Sequence, residues 1–135
     1  METRIGIWID RRKAVIVALS GEETSVQTIV SQVERQTRLS GGSRSASPYG
    51  PQDVASESRM GERLQHQMRR YLQEVVEAVR GADAIVIFGP GEAKQALARE
   101  IHRIKALAPR LVAVERSDKL TERQFVAKVR RYFGS

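Results

Sequence analysis

The run ADAIVIF (82–88) is apolar at every position except Asp83, and it leads straight into GPGEAK (89–94). A strand that is apolar along its length cannot turn one side to water. It reads as a central parallel strand covered on both faces, which commits the chain to a layered α/β fold with helices above and below a sheet. The remaining sequence must supply the neighbouring strands and both helical layers.

The first strands come early. RIGIWI (4–9) alternates, with Ile5, Ile7 and Ile9 on one face and Gly6 and Trp8 on the other. KAVIVAL (13–19) is apolar and β-branched, and the polar DRR between the two predicts a hairpin that turns at Asp10–Arg12. After the turn SGEE, the stretch TSVQTIVSQVERQTR (24–38) is more polar and rich in Thr, as an edge strand is. Composition then shifts. LSGGSRSASPYGPQDVASESR (39–59) is Gly, Ser and Pro with almost nothing to bury, so a long mobile loop is expected there.

Beyond that loop the period becomes helical. Met60, Leu64, Met68, Leu72, Val75, Val76 and Val79 make one apolar stripe, and Gly81 is placed to end the helix. EAKQALAREIHRIKALA (92–108) is a second helix with Ala93, Leu97, Ile101, Ile104 and Leu107 inward, stopped by Pro109. RLVAVE (110–115) is a fifth strand. Thr121 and Gln124 fit a capping box, flanked by Leu120 and Phe125 as a hydrophobic staple. They open a last helix whose apolar side is Phe125, Val129, Tyr132 and Phe133.

The order is β-β-β-α-β-α-β-α in one domain spanning 1–135, interrupted by the loop at 39–59. An antiparallel meander followed by right-handed βα units is similar to the ribonuclease-H-like arrangement. That is an α/β fold with a mixed five-stranded sheet, the last two strands parallel to the first and helices on both faces.

Such an arrangement raises metal-dependent nuclease chemistry, which needs several carboxylates converging on a pair of cations. Asp10 ends the first strand, but Asp83 opens the fourth and falls at the opposite edge of the sheet. The position where a second acid is needed is Gly89. Glu62 and Glu74 read as solvated helix surface. No metal site is expected, and Asp10 reads as a turn residue that accepts backbone N–H groups.

The 135 residues include no cysteine, which excludes a disulfide framework and a thiolate metal site. No apolar run approaches the ~20 residues that span a bilayer. METRIGIWID lacks the pattern of a secretory leader, so a cytoplasmic protein with no membrane partner is expected. GPGEAK has neither nucleotide-binding glycine spacing, and Glu92 would repel a phosphate at the following helix. Gly89 and Gly91 therefore read as allowing a tight turn and close packing, with Pro90 fixing the turn, and no cofactor is expected.

Lys and Arg outnumber Asp and Glu by 23 to 16, a net charge of +7, which favours a polyanionic partner, RNA first. Arg35, Arg38 and Arg44 precede or enter the loop, where no helical acid partner accounts for them. Arg59, Arg63, Arg69, Arg70 and Arg80 lie on or beside the polar side of the first helix. Lys128, Arg130 and Arg131 crowd the end of the last one, where they also complement the helix dipole. His66 and His102 fall on different helices and read as surface residues.

The stretch IVIFGPGEAKQAL resembles the strand, turn and helix of the middle domain of archaeal and eukaryotic class 1 peptide-chain release factors and of Pelota-type rescue factors. The chain looks like a compact single-domain form without the codon-reading domain. In that family the loop after the third strand carries a catalytic Gly-Gly-Gln tripeptide. Here GPQ (50–52) keeps Gly50 and Gln52, and the thirteen residues between Gln52 and His66 match the family's spacing. GGS (41–43) keeps Gly41 and Gly42 without the glutamine.

The resemblance implies Gly50 and Gln52 as the catalytic pair, with Gly41 and Gly42 as the runner-up. It also implies RNA contacts at Arg35, Arg38, Arg44, Arg59, Arg63 and Lys94, and the ribosome, rRNA or tRNA as partner. Two departures weigh against ester hydrolysis. Pro51 removes an N–H and holds φ near about −65° where the family has a glycine. DVASESRMGER carries Asp53, Glu57 and Glu62 against Arg59 and Arg63 where the family is basic. The expectation is a translation-associated ribosome- or tRNA-binding protein. Residual peptidyl-tRNA ester hydrolysis by the 39–59 loop is the enzymatic alternative. A protein–protein interaction or scaffolding domain with no RNA role is the third.

Overall fold

The computed structural model describes residues 2–31 and 54–134, without the side chains of 54–60 and 62. Among these residues the elements are β1 (Thr3–Ile9), β2 (Lys13–Ser20), β3 (Glu23–Val30), α1 (Val54–Ala78), β4 (Ala84–Gly89), α2 (Ala93–His102), β5 (Leu111–Arg116) and α3 (Glu122–Tyr132). A short 3-10 helix, Ala108–Arg110, precedes β5. The strands form one sheet in the order β3-β2-β1-β4-β5. β1 pairs antiparallel with β2 from Thr3↔Ser20 to Ile9↔Ala14, and β2 pairs antiparallel with β3. β4 runs parallel to β1, and β5 parallel to β4. This is the α/β, ribonuclease-H-like mixed sheet expected from the element order.

Strand alternation sorts the core into two layers. Ile5, Ile7 and Ile9 of β1, with Ile85 and Ile87 of β4, meet Leu72, Val75, Val76 and Val79 of α1 and Leu97 and Ile101 of α2. On the other face Trp8, Val17, Leu19, Val86 and Phe88 meet Phe125 and Val129 of α3. Ile85, Val86, Ile87 and Phe88 are all completely buried, the two-sided burial that ADAIVIF requires. Each such side chain contributes roughly 1.5–3 kcal/mol relative to exposure.

α3 lies close against the sheet because β1 carries a glycine beneath it. A Cβ on Gly6 would sit inside both Cγ atoms of Val129. Phe88 and Phe125 meet edge to face with centroids 5.8 Å apart. The capping box is formed in full. Gln124 N donates to Thr121 Oγ1 (3.1 Å) and Thr121 N donates to Gln124 Oε1 (2.9 Å). Leu120 packs against the cluster that holds Phe125, as a staple requires. Trp8 is buried against α3, and its Nε1 donates to Asp118 O at 3.1 Å.

Several boundaries differ from the sequence reading. α1 begins at Val54, so residues 54–59 are helical and not loop; VASESR holds no Gly or Pro to interrupt a helix. The expected stripe also changes partners. Leu64 is 45% exposed, and Tyr71 is buried in the core. At about 1.5 Å per residue the 25-residue α1 is far longer than the 7-residue β1 beside it, so its first half runs past the sheet.

Gly81 does not adopt the left-handed conformation, and α1 ends at Ala78 through turn bonds from Val79 N to Val76 O and from Ala82 N to Val79 O. α2 ends at His102, well before Pro109. The chain then folds through Ile104 N to Ile101 O and Leu107 N to Ile104 O, which returns Leu107 to the core. β3 ends at Val30, and residues 32–38 of the expected strand lie outside the described residues.

Candidate nucleic-acid interface

β1, β4 and β5 are parallel, so their carboxyl ends share one edge of the sheet. The chain leaves β3 at the same edge, where Ser31 N donates to Arg12 O at 2.8 Å. The order of strands reverses between β1 and β4. Open α/β sheets receive ligands at such a switch point, outside the carboxyl ends of the strands.

The carboxylate at this point is already used. Asp10 Oδ1 accepts Arg12 N at 2.8 Å and Lys13 N at 2.9 Å, closing the hairpin turn. Asp83 lies at the opposite edge, where it accepts Thr3 N at 2.7 Å and Arg110 Nη1 at 3.1 Å. Among the described residues no three of His, Cys, Asp and Glu gather as a metal site would require.

The GPGEAK turn is accounted for by packing. A Cβ on Gly89 would overlap Ile9 O, so this glycine lets the end of β4 lie against β1. Gly91 faces open space with an ordinary φ, so Gly89 alone supplies the close approach that the sequence reading divided between the two. Glu92 is the N-cap of α2 and makes no capping bond, one position earlier than the in-helix placement expected. Lys94, an expected RNA contact, donates from its amine to Gly91 O and remains at the surface.

Tyr71 marks where α1 crosses this edge. Its hydroxyl donates to Asp10 O at 3.0 Å, and its ring is buried. Burial, and secondarily the charge of Asp10, pushes the phenol well above its ordinary pKa. The unfolded chain releases that proton near pH ~10 while the folded chain keeps it. The contribution is therefore present below about pH 10 and is lost as pH rises further. Tyr71→Phe is expected to lower stability at pH 7 by about 1 kcal/mol and to flatten the alkaline fall, measured by urea unfolding at pH 7 and above pH 10. An alkaline fall unchanged from wild type would count against this assignment.

What does gather at the edge is positive charge. Arg11 and Arg12 form the exposed tip of the β1–β2 hairpin. Arg116 pairs with Gly89 at the end of β5, and Lys119 follows it; both are exposed. Arg69 and Arg70, just before Tyr71, are exposed on the part of α1 that passes the sheet. Arg63 is exposed further along the same helix. Arg59 belongs to the α1 backbone. Gly41, Gly42, Gly50, Gln52, Arg35, Arg38 and Arg44 lie outside the described residues.

Sequence reasoning did not assign Arg11, Arg12, Arg116 or Lys119 to a site. Their signal was positional: DRR directly follows β1, and ERSDK spans the end of β5, both at this edge. His66 and His102 are exposed on separate helices, as expected.

No protein-family model matches the sequence, and no curated protein matches it. Solved structures do match in fold. The Pelota protein of Thermoplasma acidophilum aligns over 99% of this chain and 32% of its own, with a TM-score of 0.55 and 15% identity. Archaeoglobus fulgidus Pelota aligns over 96% of this chain and 31% of its own, with a TM-score of 0.56 and 13% identity. An archaeal translation termination factor aligns over 98% of this chain and 39% of its own, with a TM-score of 0.51 and 15% identity. The chain thus spans about a third of the length of the proteins it matches. The resemblance to Pelota and release-factor domains read from IVIFGPGEAKQAL is present in the three-dimensional fold. No described helix is long and apolar enough to cross a membrane.

Proposed function

We propose that this chain is a translation-associated protein of the cytoplasm that binds the ribosome, through rRNA or tRNA, along the carboxyl-end edge of its sheet. One observation carries the reading. Arg11, Arg12, Arg116 and Lys119 are exposed along this edge, and Arg69 and Arg70 on α1 where it passes the sheet; they outnumber the exposed acids Glu92 and Asp118, while Asp10 is engaged by backbone N–H groups. The edge is a field for phosphates, since phosphate contacts supply most of the affinity in such complexes. The fold likeness to Pelota and to a termination factor supports translation as the setting. The role is binding and not chemistry, because Pro51 withholds both the N–H and the φ freedom that a glycine supplies there.

Co-sedimentation with ribosomes across a salt series tests it. Five phosphate contacts correspond to a log–log slope of roughly −3.5 to −4.5, so a fourfold rise in salt lowers affinity on the order of a few hundredfold. Gln52→Ala is expected to leave this binding unchanged, and acyl release from P-site tRNA is expected from neither protein. A chain that fails to sediment with ribosomes at low salt ends this proposal.

A further inference from the structure

We infer that Tyr71 is a positioning residue for the basic edge, a role that rests on the proposed binding of RNA there. Its hydroxyl ties the tip of the β1–β2 hairpin to α1. Arg11 and Arg12 on one element, and Arg69 and Arg70 on the other, then meet a phosphate backbone as one set held in advance.

Each end of the tie is fixed by its own contacts. On the hairpin side Asp10 N donates to Lys13 O at 3.0 Å, and Asp10 Oδ1 accepts Arg12 N and Lys13 N. Ser31 N donates to Arg12 O at 2.8 Å. These bonds shape the turn and hold it to the end of β3, but none of them reaches α1. On the helix side Tyr71 is the first buried side chain met along α1 among the described residues, and Leu72, Val75, Val76 and Val79 follow it into the core. Arg69 and Arg70 before it are exposed, and Arg63 stands about 12 Å farther out along the axis at about 1.5 Å per residue. The bond from the Tyr71 hydroxyl to Asp10 O, 3.0 Å long, therefore joins the turn to the point where α1 leaves the sheet.

Arginine side chains reach for phosphates individually, but the backbones that carry them set where they start. Two backbones held at a fixed spacing lose less freedom on binding than two that move independently, and the smaller loss appears as affinity. The ring alone does not supply this. Phenylalanine would fill the same space and keep α1 on the sheet, yet it has no donor for Asp10 O. Tyr71 is buried and contacts no phosphate itself, so its loss leaves the number of neutralised phosphates unchanged. The signature is a uniformly weaker affinity at an unchanged salt slope.

Co-sedimentation of Tyr71→Phe with ribosomes across the salt series tests the inference. Its dissociation constant is expected to lie about fivefold above wild type at every salt concentration, the share of one hydrogen bond, with the wild-type slope. Phe125→Leu removes a ring from the α3 layer and is expected to lower stability while binding as wild type does. Hydrogen exchange of the free protein reads the tie without the ribosome. The amides of Arg12 and Lys13 are expected to exchange faster in Tyr71→Phe than in wild type, and no faster in Phe125→Leu. Wild-type affinity in Tyr71→Phe overturns the inference while the binding edge stands. So does a loss with a shallower slope, which would mean lost phosphate contacts, or an equal loss in Phe125→Leu, which would mean lost stability. Unchanged exchange at Arg12 and Lys13 overturns it as well. A wild type that does not sediment with ribosomes ends the binding proposal and this role of Tyr71 together.

Discussion

Replacing Gly89 with alanine is expected to destabilise the protein by roughly 3 kcal/mol, the upper part of the range for overpacked sites. A domain of this size has only about 5–15 kcal/mol in total. The new Cβ would overlap Ile9 O, a backbone atom fixed in the ladder that joins the two halves of the sheet. A side chain could rotate away, but the carbonyl moves only if β1 and β4 separate. The loss would therefore appear as a lower urea midpoint with an unchanged slope.

Gly91→Ala is the internal comparison. Its Cβ would meet nothing within 4 Å and its φ is ordinary, so the change is expected to be neutral or to stabilise by about 0.4–1 kcal/mol through the unfolded chain. Equal effects at the two glycines would show that the close approach of β4 to β1 has been misread.

Reversing Arg69 and Arg70 together to glutamate is expected to weaken ribosome binding by about tenfold or more at low salt. It is also expected to reduce the salt slope by roughly 1.4–1.8, the share of two phosphates. Reversing Arg130 and Arg131 is expected to change affinity less than about threefold. α3 covers the opposite layer of the sheet, and Arg130 is held by Thr24 Oγ1 at 2.7 Å. Reversing Arg35, Arg38 and Arg44 together is expected to act in the same direction as the α1 pair. Both double variants keep their helices, since all four arginines are exposed. Equal losses from both pairs would assign the binding to net charge and not to this edge. A larger loss from the α3 pair would move the interface to the other layer.

The sequence by itself determined the order of elements, the two-sided burial of β4 and the capping box of α3. Each of these is written in local spacing: alternation in RIGIWI, continuous apolarity in AIVIF, and Thr121 three residues before Gln124. It also determined what Asp10 does, because a carboxylate at a hairpin corner meets the N–H groups two and three residues on. Tertiary structure decided the rest, through lengths and contacts that no local pattern carries. Leu64 and Tyr71 both fit a helical stripe, but only the reach of the sheet beneath α1 selects which is buried. Gly89 and Gly91 look alike in GPGEAK, and only the carbonyl of Ile9, eighty residues away in the chain, tells them apart. The basic edge was invisible for the same reason. Arg12, Arg70 and Arg116 are scattered in sequence, and parallel pairing of β1, β4 and β5 brings them to one side.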